Sequence, residues 1–163
     1  MTIDENVLEQ LSVARTFAER GNVSSMDCVL NYVRACSKRT GENLSNEVKE
    51  IEKAGYRAAI PIELLIARYH AETGEIEIAE QILSLVKVYA NRTGEDVSDD
   101  IKEIEKSGYI AAIPVELSVA RYHALDGNSP AAENFISYAM RYARKAGQDI
   151  SEMVAEIRAL IKK

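Results

Sequence analysis

Apolar side chains recur every three or four residues along most of the chain, a spacing typical of amphipathic helices. Between residues 75 and 92, this spacing is carried by Ile78, Ala79, Ile82, Leu83, Val86 and Ala90. The one short apolar run that could form a strand, 110–115, is interrupted by Pro114, and proline is disfavoured inside a sheet. The pattern therefore predicts an all-α protein.

The helical pattern repeats with a period of 53 residues. The segment Arg39-Thr40-Gly41-Glu42 recurs as Arg92-Thr93-Gly94-Glu95, and Ala67-Arg68-Tyr69-His70 recurs as Ala120-Arg121-Tyr122-His123. A fixed period of this length is typical of stacked helical repeats. We therefore predict one helical-repeat domain over 1–163, with repeats at about 8–60, 61–113 and 114–163.

Each repeat is expected to contain three helices. In the middle repeat, they are predicted at about 61–73, 75–92 and 97–107. Pro61 suits a first helical turn, where its missing N–H is not needed, and Gly108 is expected to end the third helix. Tyr56 and Tyr109 follow such glycines and are predicted to cap the junctions between repeats. The result is a prediction of nine helices in an α-solenoid of three three-helix repeats.

The first two helices of each repeat resemble a tetratricopeptide repeat, which is a pair of helices with small residues where they cross. The residues that carry this resemblance in the middle repeat are Ile66, Ala67, Gly74, Ile76, Ala79, Leu83 and Val86. The corresponding residues of the third repeat are Val119, Ala120, Gly127, Ala132, Ile136 and Ala139, and the first repeat has Met26 where the small residue belongs. The resemblance implies that Ala79 and Ala132 are buried at helix crossings. The period differs from the 34 residues of that family, because a third helix is added.

An arginine occupies the same place in all three repeats, at Arg15, Arg68 and Arg121. A leucine precedes each one by a turn, at Leu11, Leu64 and Leu117. The resemblance implies that these arginines face a binding groove, where guanidinium groups could hold the carboxylates of an acidic or C-terminal peptide. The alternative is that they form ion pairs four residues along their own helix, with Glu19 and Glu72; Arg121 has Leu125 there instead.

Charge and composition narrow the choice of partner and compartment. The net charge of −6 makes a nucleic-acid partner unlikely, and no run approaches the length of about 20 apolar residues that a membrane span needs. The N-terminus lacks the pattern of a secretion signal. Cys28 and Cys36 are too far apart along one helix to pair, so we expect both to be reduced in a cytoplasmic protein.

No motif indicates catalysis, a metal or a cofactor. His70 and His123 lie where the first repeat has Phe17, which indicates packing, and the carboxylates form no catalytic spacing with His or Cys. The chain is therefore predicted to be a non-enzymatic protein-interaction module or scaffold that binds a partner protein or acidic peptide along its first helices. The alternatives are an RNA-binding helical repeat and a self-assembling structural protein. A possible homo-oligomer would form through the first helix, with Ile3, Val7, Leu8 and Leu11.

Overall fold

A computed structural model describes residues 5–161 of the chain, and these residues form seven α-helices and no β-strand. The prediction of an all-α fold is confirmed. The helices are α1 (Glu5–Glu19), α2 (Val23–Thr40), α3 (Ser45–Glu72), α4 (Ile76–Thr93), α5 (Ser98–Leu125), α6 (Ser129–Ala146) and α7 (Ser151–Ile161).

The prediction of nine helices is wrong for the described residues, because two pairs of predicted helices are continuous. The third helix of one repeat runs into the first helix of the next without a break, which gives α3 and α5 28 residues each. Pro61 and Pro114 lie inside these helices rather than in a first turn. Proline removes one backbone hydrogen bond, but its fixed φ is compatible with a helix. The apolar spacing also continues through both prolines, so the helix ends only at the next glycine turn.

Gly108 also lies inside a helix, so the prediction that it ends one is wrong. A Cβ atom on Gly108 would lie 2.5 Å from Cδ1 of Ile76 and 3.1 Å from Cβ of Ala71. The glycine is therefore needed for the close approach of another helix and not for a turn. Gly55 holds the equivalent place in α3, where a Cβ would collide with the side chain of Met26.

The other predicted turn glycines are confirmed by their backbone conformation. Gly21, Gly41, Gly74, Gly94, Gly127 and Gly147 all have a positive φ, between 67° and 81°. Each follows the last turn of a helix, where a left-handed residue ends the hydrogen-bond pattern. Asparagine side chains cap the starts of α2 and α6: Asn22 accepts a hydrogen bond from the Ser25 amide, and Asn128 accepts one from the Ala131 amide.

The helices are distributed over two compact units. The first contains the described residues up to Leu64 together with Ser84–Val97, and the second contains Leu65–Leu83 and the described residues from Ser98 onward. In the first unit α1 packs on α2, and in the second unit α5 packs on α6 and α7. The fully buried large side chains of these cores include Val7, Met26, Leu30 and Val33 in the first unit, and Leu83, Ile104, Ile136 and Ile157 in the second.

Small residues lie at the centre of this packing. Ala79 and Ala132 are completely buried, which confirms the burial predicted for them. Ala14, Ala67 and Ala120, which share one place in the repeat, are also completely buried. Their short side chains allow neighbouring helices to approach closely.

Candidate functional site

The repeated arginines form ion pairs that the sequence analysis missed. Arg68 on α3 donates a hydrogen bond to Glu103 on α5 at 2.7 Å, and Arg121 on α5 contacts Glu156 on α7 at 3.3 Å. Both partners lie 35 residues beyond the arginine, so the observed pairs link two helices instead of running four residues along one helix. The same step from Arg15 leads to Glu50.

Arg15 and Glu50 line one cavity in the first compact unit. This cavity, between α1 and the first turns of α3, has a volume of about 460 Å³. Its floor is apolar, with Ala18 and Ile51, and Glu47 lies beside it. The repeat thus places an arginine on one helix and a glutamate on another at three equivalent sites.

The Arg68–Glu103 and Arg121–Glu156 pairs are open to solvent. The side chains of Arg68 and Glu103 are 40% and 66% exposed, and those of Arg121 and Glu156 are 54% and 61% exposed. Exposed pairs of this kind contribute little to stability, because water screens the charges. The pKa of Arg68 is nevertheless raised, chiefly by its hydrogen bond to Glu103.

The three leucines predicted to flank the arginines do not form an apolar strip. Leu11 and Leu117 are core residues, only 3% and 8% exposed, and Leu64 is half-buried. Leucine one turn before the arginine points into the core because it continues the buried spacing of Ala14 and Ala120. The exposed apolar surface lies at other positions of the same helices.

That surface consists of side chains on either side of the arginines. Leu65 and Tyr69 on α3 are 69% and 64% exposed, while Tyr122 and Leu125 on α5 are 66% and 70% exposed. With the arginines, they define two surfaces at equivalent positions of α3 and α5. Each surface consists of one residue and the residues three, four and seven positions after it. We call these the α3 face (Leu65, Arg68, Tyr69, Glu72) and the α5 face (Ser118, Arg121, Tyr122, Leu125).

The first repeat carries a polar version of the same surface. The α1 face consists of Ser12, Arg15, Thr16 and Glu19, all exposed. Serine and threonine thus stand in α1 where α3 has leucine and tyrosine. Because repeats of one chain share a framework, this difference identifies Leu65 and Tyr69 as residues that the helix itself does not require. The contrast is visible in the sequence, since the 53-residue period aligns Ser12 and Thr16 with Leu65 and Tyr69.

Two pairs of stacked tyrosines lie within the compact units. Tyr56 stacks on Tyr89 with ring centroids 5.1 Å apart, and Tyr109 stacks on Tyr142 at 5.8 Å. Cations lie over these rings: Arg92 covers Tyr56 in the first pair, and Lys145 and Arg141 cover Tyr109 and Tyr142 in the second. All four tyrosines are buried, and Tyr56 and Tyr109 lie within helices rather than beyond a helix end.

The hydroxyl groups of the second pair are bound by carboxylates. Tyr109 donates to Glu80 at 2.7 Å, and Tyr142 donates to Glu77 at 3.0 Å. Burial raises the pKa of both tyrosines, so their hydroxyl groups stay protonated at neutral pH. Stacked, hydrogen-bonded and buried, these tyrosines serve the packing of the helices.

Glu116, on α5, is held in an environment that disfavours its charge. Burial raises its pKa first of all, the nearby carboxylate of Glu77 raises it further, and Arg141 partly opposes both. A carboxyl group whose pKa is higher in the folded state binds more protons there than in the unfolded chain. The free energy of unfolding therefore falls as the pH rises from the pKa of Glu116 in the unfolded chain to its higher pKa in the folded state.

Glu116→Gln should remove that pH-dependent loss. We expect the variant to match the original chain at acidic pH and to exceed its free energy of unfolding at neutral pH, since the variant has no charge at this partly buried position. Urea denaturation at a series of pH values measures the effect, and Glu9→Gln, at an exposed position of α1, is the control. Parallel curves for the original chain and the Glu116 variant would contradict the prediction.

Histidines and cysteines make separate contacts. Nδ1 of His70 lies 2.6 Å from a carboxylate oxygen of Glu75, and His123 stacks on Phe135. Hydrogen bonds from His70 and Thr73 lower the pKa of Glu75.

Cys28 is exposed and Cys36 is buried, and both are free, as predicted. Within residues 5–161, no group of three or more His, Cys, Asp or Glu side chains is placed to hold a metal ion.

None of the helices in the described part of the chain is both long enough and apolar enough to cross a membrane. Comparisons with protein-family models, with curated proteins and with solved structures found no match to this chain. The tetratricopeptide resemblance therefore rests on its sequence pattern alone, and the surfaces of the molecule are the remaining indication of its function.

Proposed function

We propose that this protein is a non-enzymatic interaction module that binds a partner protein or peptide along the first helices of its repeats, which in the second and third repeats form the second halves of α3 and α5. The observation that carries the proposal is the α3 face and the α5 face, where four large apolar or aromatic side chains are at least 64% exposed. Tyrosine and arginine are also the residues most enriched among those that dominate binding energy at protein interfaces.

The position of these side chains supports binding more than packing. Single exposed apolar residues are ordinary on a protein surface, whereas a grouped set suggests an interaction site. Leu65 and Tyr69 lie one turn apart on α3, and Tyr122 and Leu125 occupy one turn of α5. The α1 face has serine and threonine instead of leucine and tyrosine, so the apolar side chains are an addition to the shared framework.

The test is to give the α3 face and the α5 face the residues of the α1 face. Peptides are first selected from a random display library on the original chain. Two double variants are made, Leu65→Ser with Tyr69→Thr and Tyr122→Thr with Leu125→Glu. Each should lower the affinity for the selected peptides by about tenfold or more, as expected when anchor residues are removed. Because the replaced side chains are exposed, the thermal midpoint should stay nearly unchanged.

Tyr32→Thr is the matched control, since Tyr32 is also exposed but lies on α2. It should bind the selected peptides as the original chain does. Equal binding by the control and by both face variants would place the site elsewhere. Failure to select any peptide would contradict the proposed function itself.

A further inference from the structure

Carboxylates outnumber cations around the arginine of the α3 face. The positive charge of Arg68 is opposed by Glu103, which holds it by a hydrogen bond, and by Glu72 and Asp100, which also act on it electrostatically. The local charge of this group is therefore negative although an arginine stands at its centre. A ligand that approaches the exposed rings and leucine meets this negative field.

The equivalent sites show the same balance. The cavity that contains Arg15 is lined by three glutamates, Glu19, Glu47 and Glu50. On α5, Arg121 is paired with Glu156, and the next turn of α7 toward its start carries Glu152. Carboxylates outnumber arginines at each of the three sites, so this excess is a property of the repeat and not of one residue.

We propose that the α3 face and the α5 face bind a basic, amphipathic segment of a partner protein. This inference rests on the proposed function and specifies its partner. Lysine or arginine side chains of the segment contact Glu72, Asp100 and the outer oxygens of Glu103. Its apolar side chains cover Leu65 and Leu125, which removes exposed apolar surface from water.

The exposed tyrosines fit the same ligand. Tyr69 and Tyr122 are 64% and 66% exposed, and although each ring makes a T-shaped contact with the ring of the following histidine, most of each side chain is open to a cation of the partner. A lysine or arginine over such a ring is attracted by the negative face of its π-system. The chain already uses this contact internally, with Lys145 over Tyr109. Carboxylates and aromatic faces therefore select for the same sign of charge.

An acidic segment fits less well. It would have to displace Glu103 from Arg68 or Glu156 from Arg121, and the displaced glutamates would remain nearby as like charges. Like charges in close opposition at an interface are unfavourable and suppress the wrong partner. The expectation of an acidic peptide, which came from the arginines alone, changes once their partners are seen.

The experiment compares two peptides with the same tyrosines and leucines. One has lysine and the other glutamate at every remaining position, and both carry a fluorescent label for anisotropy titrations with the full chain. We expect the lysine peptide to bind at least about tenfold more tightly and to lose affinity as salt is added, since salt screens surface charge. The double variant Glu72→Gln with Asp100→Asn should bind the lysine peptide more weakly. Glu9→Gln, the same kind of change on α1, should leave this affinity unchanged.

The possible results separate the inference from the proposed function. Tighter binding of the glutamate peptide would overturn the basic partner and leave the interaction module standing. Equal, salt-independent binding of both peptides would also overturn it. If neither peptide binds and the display library yields none, the proposed function fails. If light scattering shows that the face variants abolish a dimer of the original chain, the occupant is a second copy and the inference is wrong.

Discussion

Ile136→Ala should lower the free energy of unfolding by about 2–5 kcal/mol. Ile136 is completely buried in α6, which packs against α5 in the second compact unit. Removing its outer carbon atoms forfeits their burial and leaves a cavity that the surrounding helices can only partly close. Urea denaturation followed by circular dichroism measures the change.

Ile110→Ala is the matched control for that loss. The same chemical change is made on α5, where Ile110 is 39% exposed. Less apolar surface returns to water and alanine favours a helix, so we expect a much smaller effect, within about 1 kcal/mol. Equal losses at the two positions would show that α6 does not pack as described.

Ala79→Leu should lower the free energy of unfolding by about 1–3 kcal/mol, because extra carbon atoms do not fit a filled core. Ala79 is completely buried, whereas its neighbour Ile78 is 41% exposed. Ile78→Leu conserves volume at an open position and should leave the denaturation midpoint nearly unchanged. An unchanged midpoint for the Ala79 variant would mean that the place has free space.

The first repeat suggests how to rescue a large residue at this place. Met26, the equivalent of Ala79, is completely buried and lies against Gly55, whereas in the second unit Ile76 lies against the equivalent Gly108. The equivalent of Ile76 in the first repeat is Val23. The first repeat thus combines a smaller residue at the first position with methionine at the second, whereas the second repeat combines the larger isoleucine with alanine. Ala79→Met alone should destabilise the fold, and Ala79→Met combined with Ile76→Val should recover most of the loss.

Sequence reasoning identified the helices and most of their ends because those depend on local chemistry. Apolar spacing predicts a helix, and a glycine with positive φ ends one, as at Gly74 and Gly94. Pro61 and Gly108 were misinterpreted because both residue types have a second use. Proline tolerates a helix interior at the cost of a hydrogen bond, and glycine allows a close approach that becomes visible only when Ile76 is in place.

The candidate site was predicted only in part for a similar reason. The repeated arginines were visible, but their glutamates lie 35 residues further along and become neighbours only through tertiary packing. Leu117 and Leu125 likewise lie on the same helix, but Leu117 is a core residue and Leu125 is exposed. Periodicity shows which residues are equivalent, whereas the neighbours of a residue depend on the fold.

The continuity of α3 and α5 determines where this chain can be cut or copied. A fragment that begins at residue 61 would start in the middle of a 28-residue helix and lack the first half of that helix. A deletion of residues 42–94 instead joins the glycine turn after α2 to the one after α4, and removes one complete period without opening a helix. The module that gene duplication or protein engineering can move therefore extends from turn to turn.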